Sequence, residues 1–248
     1  MKIALFIPCL VNQMMPEVAI ATLTLLEKLG HEVIFPAGQT CCGQPMTNSG
    51  CFDEAKNTTL KLLNAFKGVD CDAIVCPAAS CLVAAKENFH EFDGSQEAQE
   101  VISKLYELTE FLHDIAPIKA FARPVAAKIS MQMSCHGIRM LNLATPTEQM
   151  GKQRFNKVEA VLGNITGLEI VYPARIDECC GFGGTFAVDE GAVSAKMGKD
   201  KAQAHAATGA KYVVGFDPSC LLHLDGMIRR QKLPIETRHI AQIINDAL

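Results

Sequence analysis

Eight of the eleven cysteines in this chain fall into two ordered sets. The first set is Cys9, the adjacent pair Cys41-Cys42 followed by Gly43, and Cys81 after Ser80. The second is Cys135, the pair Cys179-Cys180 followed by Gly181, and Cys220 after Ser219. Cys42 and Cys81 are 39 positions apart and Cys180 and Cys220 are 40 apart. The first legs are looser, 32 positions from Cys9 to Cys41 and 44 from Cys135 to Cys179. Such differences belong to loop-and-helix connections, where insertions are tolerated. Thiols that recur in this order suggest metal or redox chemistry rather than a disulfide framework, because an odd count cannot pair completely and clustered Cys in a reducing compartment seldom form structural bridges.

Four thiols suit either zinc or an iron–sulfur cluster. Structural zinc sites usually present Cys in C-x2-C pairs, whereas neighbouring Cys in extended backbone point apart. A multi-iron cluster is larger and can take the two members of a Cys-Cys pair on different irons, so ligand chemistry favours the cluster. Gly43 and Gly181 would let the backbone turn tightly beside inorganic sulfur, and Gly183-Gly184 adds to this in the second set. The expected ligands are Cys9, Cys41, Cys42 and Cys81, and Cys135, Cys179, Cys180 and Cys220. Zinc stays open for one of the two sites. Cys51, Cys71 and Cys76 lie outside the repeat and read as buried small hydrophobes. Met131, Met133 and Met197 read as core.

His136 and Arg139 are the candidate catalytic side chains. His136 follows a ligand directly and could relay a proton, or simply hydrogen bond to backbone. Arg139 could grip a carboxylate in bidentate fashion, or pair with Asp177 or Glu178. His239 is expected to cap or pack the last helix. The run Gly181-Phe182-Gly183-Gly184 lacks the G-x-G-x-x-G order of a dinucleotide loop, and no G-K-[ST] occurs, so nicotinamide and P-loop chemistry are not expected.

The elements that must position the thiols alternate between strand and helix. Apolar strands are expected at residues 2–8, 32–35 and 73–76, with helices at 16–29, 53–66, 81–89 and 95–114. Pro117 and Pro124 punctuate the chain and place a boundary there, giving lobes 1–124 and 125–248. The order then resumes, with strands at 128–133, 169–172 and 212–216 and helices at 148–162, 190–207, 220–230 and 239–247. Strand–helix alternation implies an α/β fold with small parallel sheets, and the recurring cysteines imply that the two lobes arose by internal duplication. Every cysteine of the two sets falls just after the carboxyl end of an expected strand, the edge at which open parallel sheets bind ligands. Helices expected near Cys81 and Cys220 would bring N–H groups and a positive dipole end to the thiols.

Composition narrows the partners. The formal net charge is −4 and there is no clustered run of Lys and Arg, so nucleic acid is not expected. No stretch approaches the ~18 apolar residues of a membrane span. The opening apolar run ends in Pro8-Cys9 without a small-residue cleavage site, so it reads as a strand and the protein as cytoplasmic.

The ordered motifs carry a resemblance. They are Phe6-Ile7-Pro8-Cys9, residues 36–45 (PAGQTCCGQP), Asn48-Ser49-Gly50, Cys135-His136 with Arg139, residues 179–186 (CCGFGGTF), residues 217–220 (DPSC) and His239-Ile240-Ala241. They span nearly the whole chain in order. The sequence resembles the cysteine-rich CCG-domain proteins, which include heterodisulfide reductase B subunits and the glycolate oxidase iron–sulfur subunit, and within them the lactate utilization protein A family. The resemblance implies two Rossmann-like lobes and iron–sulfur clusters, with the four-iron four-sulfur type expected. It also implies electron transfer in an oxidoreductase complex that converts L-lactate to pyruvate, beside further iron–sulfur and accessory subunits. The chain departs from the fuller heterodisulfide reductase pattern, which ends each motif in C-x-x-C. Ala78 and Asp217 stand where the first of those cysteines would be. That disfavours a five-thiol cluster and thiol–disulfide chemistry, and it makes Asp217 a possible oxygen ligand.

Overall fold

The computed structural model describes all 248 residues. The chain divides into two compact units, Met1–Leu108 and Thr109–Leu248. Residues 109–124, assigned from sequence to the first lobe, hydrogen bond into the second unit. Ala122 and Arg123 donate their N–H groups to the Ala247 carbonyl, and Asp114 forms an ion pair with Lys157.

The first unit runs β1 (Lys2–Leu5), α1 (Cys9–Met14), α2 (Pro16–Lys28), β2 (Glu32–Ile34), α3 (Gln44–Asn48), α4 (Phe52–Asn64), β3 (Ala73–Cys76), α5 (Ala79–Phe92), α6 (Gln96–Lys104) and β4 (Leu105–Glu107). A short helical turn, α7 (Leu108–Glu110), and a π-helical turn, Phe111–Ile115, lead into the second unit. That unit runs β5 (Ala127–Gln132), α8 (Cys135–Arg139), α9 (Lys157–Leu162), β6 (Leu168–Val171), α10 (Phe186–Asp189), α11 (Gly191–Ala206), β7 (Tyr212–Gly215), α12 (Pro218–Gln231), β8 (Glu236–His239) and α13 (Ile240–Ala247).

Each unit holds a four-stranded, wholly parallel sheet, and the strand orders match: β2-β1-β3-β4 and β6-β5-β7-β8. This is the duplicated α/β architecture expected from the sequence, two Rossmann-like lobes. The central strands are buried because helices cover both faces of a parallel sheet. All four residues of β3 are buried, as are Val213, Val214 and Gly215 of β7. From β1 the chain moves outward to β2 and then crosses back to β3 on the other side. The connections after β1 and β3 therefore leave in opposite directions and open a crevice at the carboxyl edge of the sheet.

Three expectations are corrected. The single helix expected over 95–114 is instead α6, then β4, then two short turns. Leu105 takes extended dihedrals (φ −80°, ψ 121°) and pairs with Ile74. A strand of three residues is too short to show its own period between helical neighbours. The fourth strand of the second lobe, Glu236–His239, was also missed. It reads Glu-Thr-Arg-His and lies at the sheet edge, where polar residues are tolerated and no apolar alternation is needed. The helix expected over 148–162 shrinks to α9. Gly151 sits at φ +79°, and Asn156 bridges to Ala144 and caps α9 by accepting the Glu159 N–H at 3.1 Å.

The second lobe carries an unusual buried polar chain. His205 on α11 is fully buried between two side chains of β5, with Nδ1 2.8 Å from the Ser130 hydroxyl and Nε2 2.9 Å from the Gln132 carbonyl oxygen. The neutral tautomer protonated at Nε2 satisfies both contacts. Burial, with the nearby Lys201 charge, pushes the His205 pKa down to about 3. Because the folded value lies below the unfolded one of about 6.5, this residue's contribution to stability is complete above that pH and is lost as pH falls toward 3. Lowering the pH from 7 to 5 should therefore cost the wild type about 2 kcal/mol through this group. Urea unfolding at the two pH values should show that extra loss in wild type and not in His205→Gln.

Candidate metal centre

The fold delivers the thiols of each lobe from three connections at one sheet edge. Cys9 opens α1 just beyond β1, Cys41 and Cys42 lie in the loop between β2 and α3, and Cys81 sits in the first turn of α5 after β3. In the second lobe Cys135 opens α8 beyond β5, Cys179 and Cys180 follow β6, and Cys220 lies in the first turn of α12 after β7. All eleven cysteines are free thiols.

Within each lobe the four sulfurs meet. Cys41 is hydrogen bonded to Cys42 and Cys9, and Cys42 also to Cys81. Cys179 is bonded in the same way to Cys135 and Cys180, and Cys180 lies 3.0 Å from Cys220, well beyond the about 2.05 Å of a disulfide. In each set the hydrogen bonds favour the thiolate at the first cysteine of the pair. Hydrogen bonds from Cys42 and Cys9, helped by the Gly43 N–H, pull the Cys41 thiol down to about 3 against the opposing effect of burial. Bonds from Cys135 and Cys180, with the Gly181 N–H 3.3 Å away, pull Cys179 down to about 2 against the opposing effect of burial. The donors shift the other way. Hydrogen bonding to the thiolate, then burial, pushes Cys9, Cys42, Cys135 and Cys180 up.

This donor set suits a thiophilic centre, but its sulfurs lie against one another. Four thiolates about 2.3 Å from one zinc would stand nearly 4 Å apart, farther than Cys180 and Cys220, and no three such ligands are spaced around a common ion. Binding a metal or cluster therefore requires the Cys side chains to turn outward. The chemical fit rests on the thiols themselves, on the thiolate already favoured in each lobe, and on the glycine turn beside it. Gly43 and Gly181 both adopt φ +90°. A Cβ on Gly181 would come within 2.6 Å of Met197 Cβ and 2.8 Å of the Ser194 carbonyl, so only glycine lets this loop lie against α11.

Several side chains that sequence reasoning passed over hold these loops. Gln39 accepts the Ile7 N–H at 3.0 Å and donates to the Leu5 and Pro36 carbonyls, joining the loop of Cys9 to that of Cys41. Thr59 and Asn88 both donate to the Cys42 carbonyl, at 3.2 and 2.9 Å. In the second lobe the Lys201 ammonium donates to the carbonyls of Arg175 and Ile176, at 2.6 and 3.1 Å. Gln39 stands within the PAGQTCCGQP motif, whereas Thr59, Asn88 and Lys201 are polar residues on the buried faces of helices.

The remaining candidates fall as follows. His136 Nδ1 lies 3.7 Å from Cys135 Sγ, within the thiol cluster. Arg139 makes a two-pronged ion pair with Glu148 (2.8 and 3.2 Å), while Glu178 goes to Arg175 and Asp177 accepts from the Thr147 N–H and hydroxyl. The expected Arg139 partners are thus replaced by a residue of the misread 148–162 segment. In the second lobe a cavity of about 300 Å³ is lined by Met133, Thr145, Arg154, Tyr172 and Asp177, so the guanidinium at its wall belongs to Arg154 rather than Arg139, and none of the thiols lines it. Asp217 is buried and caps α12, accepting from the Ser219 N–H at 3.1 Å and from the hydroxyls of Ser219 and Ser134. His239 caps α13 in a reciprocal box with Gln242, as expected. Met131 and Met133 are core, and Cys71 and Cys76 are buried, but Cys51 is exposed at the start of α4.

Two parallel sheets, each gathering four thiols around a Cys-Cys-Gly turn at its switch point, define a cysteine-rich CCG-domain protein. The family model described as "CCG: Cysteine-rich domain" matches residues 3–86 and 129–225. Proteins named "Lactate utilization protein A" from Exiguobacterium sp. and Geobacillus kaustophilus are each 37% identical to this chain. The first alignment covers 100% of this chain and 98% of the relative, the second 99% of both. A crystal structure of a hypothetical protein from Helicobacter pylori shares the fold, with a TM-score of 0.62 at 12% identity, over 99% of this chain and 48% of that one. This chain belongs to the lactate utilization protein A family of CCG cysteine-rich-domain proteins.

The close approach at the glycine turns has a measurable consequence. Gly181→Ala should lower stability by about 2 kcal/mol or more, through a strained positive φ and overpacking against α11. Gly209→Ala, at φ +67° with no neighbour within 4 Å of a new Cβ, should cost only the backbone strain, a smaller loss in the same denaturation experiment.

Proposed function

We propose that this protein is an iron–sulfur electron carrier of lactate utilization, acting beside partner subunits in a complex that oxidises L-lactate to pyruvate. The observation that carries this reading is the convergence, twice over, of four thiols from three loops at the switch point of a parallel sheet. The names of the full-length relatives supply lactate utilization as the setting.

Cys9, Cys41, Cys42 and Cys81 would hold one centre, and Cys135, Cys179, Cys180 and Cys220 the other. A four-iron four-sulfur cluster bound there would supply one-electron transfer. The chain prepares for it by holding Cys41 and Cys179 deprotonated and by presenting the Gly43 and Gly181 N–H groups to those sulfurs. Burial of Cys42, Cys180 and Cys220 keeps water from the inner side of each set, while exposed Cys9 leaves the first set an open edge toward a partner. Asp217 is engaged in capping α12, so the second set works with its four thiols. The same side chains could hold zinc in one lobe, which would make that lobe a structural support.

Anaerobic purification followed by iron, sulfide and zinc quantification with EPR tests the reading. Wild type should be brown, and its iron and sulfide should fall by about half in both Cys42→Ser and Cys180→Ser. Zinc without sulfide in one lobe would assign that lobe to the structural role. A colourless, iron-free protein after reconstitution would overturn the proposal.

A further inference from the structure

The internal repeat pairs residues of the two lobes and exposes one difference in charge. Cys81 and Cys220 stand 139 positions apart, as do Ala55 and Ser194, whose carbonyls face the glycines of the two Cys-Cys-Gly turns. The strand registers agree, since Leu5 lies beside Val75 as Met131 lies beside Val214. On this pairing Ala4, Phe6, Leu62 and Phe66 of the first lobe correspond to Ser130, Gln132, Lys201 and His205 of the second. All eight are at most 2% exposed. The first set is an apolar core in which the Phe6 and Phe66 rings meet edge to face at 5.8 Å. In the second lobe His205 hydrogen bonds to Ser130 and Gln132, and Lys201 takes the place of Leu62.

A buried ammonium is far costlier than the leucine it parallels. Lys201 meets that cost with the carbonyls of Arg175 and Ile176, just ahead of the Cys179-Cys180 pair. It lies on the helix against which the Gly181 turn rests. Asp177 and Glu178 also act on it, but both are partly exposed and engaged elsewhere, with Thr147 and Arg175. Solvent screens their fields more than it screens that of a fully buried cation.

We infer that Lys201 is a positioning residue whose buried charge raises the reduction potential of the second-lobe centre, a contribution the first lobe lacks because Leu62 stands at the matching position. The inference rests on the iron–sulfur reading above. Adding one electron makes the centre more negative, and a fixed positive charge in a poorly screened interior stabilises that reduced form. No bond is made or broken, and the electron comes from a low-potential one-electron donor.

The test is an EPR-monitored redox titration with dithionite on anaerobically reconstituted Cys42→Ser protein, in which the second lobe alone reports. Lys201→Met follows the apolar precedent of Leu62, and Lys201→Gln keeps an amide N–H for the carbonyls without the charge. Both should lower the equilibrium constant for one-electron reduction at least tenfold, a shift of 59 mV or more toward lower potential. An unchanged potential in either variant that still holds its cluster overturns the charge assignment, and loss of the cluster from both would make Lys201 an assembly residue instead. A cluster in wild type but none in the Cys42→Ser parent would overturn the inference by leaving the second lobe empty, whereas absence of a cluster from wild type as well would remove the iron–sulfur reading itself.

Discussion

Bringing four sulfurs from three separate connections to one point is the constraint on which each lobe depends. A parallel sheet meets it because all its strands end at the same edge, and the strand order β2-β1-β3-β4 parts the connections there. The thiols then form a hydrogen-bonded set in which two neighbours favour the thiolate at the first cysteine of the pair, and the second cysteine of the pair also bonds to the fourth thiol. The adjacent cysteines need a tight turn beside α4 or α11, and glycine at φ +90° is the residue that permits it.

The two lobes satisfy this constraint on different foundations. Beneath Cys42, Thr59 and Asn88 bind the backbone carbonyl of the ligand loop directly. Under the second set the support is Lys201, which grips the loop a few residues earlier and brings a full charge with it. His205, Ser130 and Gln132 form the polar lining that lets the second lobe accommodate polar atoms where the first has two phenylalanines. A duplication that keeps the thiols while replacing the core beneath them can give the two centres different electrostatic surroundings without altering a ligand.

Much of this was legible along the chain. The repeat of Cys, Cys-Cys-Gly and Ser-Cys, the strand–helix alternation and the central strands are all local patterns. Local too were the His239 cap and the core placement of Met131 and Met133. Illegible features depended on partners distant in sequence. β4 and β8 exist because β3 and β7 offer them hydrogen bonds, not because Leu-Tyr-Glu or Glu-Thr-Arg-His has strong strand character. Arg139 goes to Glu148 because residues 144–156 fold back instead of continuing as helix.

Sequence by itself determined the two four-thiol sets, their order on the strand ends and the α/β duplication, since these follow from residue types and short-range periodicity. Only the tertiary structure decided at which sulfur of each set the thiolate is favoured, because that depends on which thiols and N–H groups converge on it. It also decided that Asp217 serves a helix terminus and that a lysine lies buried beneath one thiol loop and not the other. Burial and hydrogen-bond partners across tens of residues leave no periodic trace in the chain, and they are what turn two similar motifs into two different electrostatic sites.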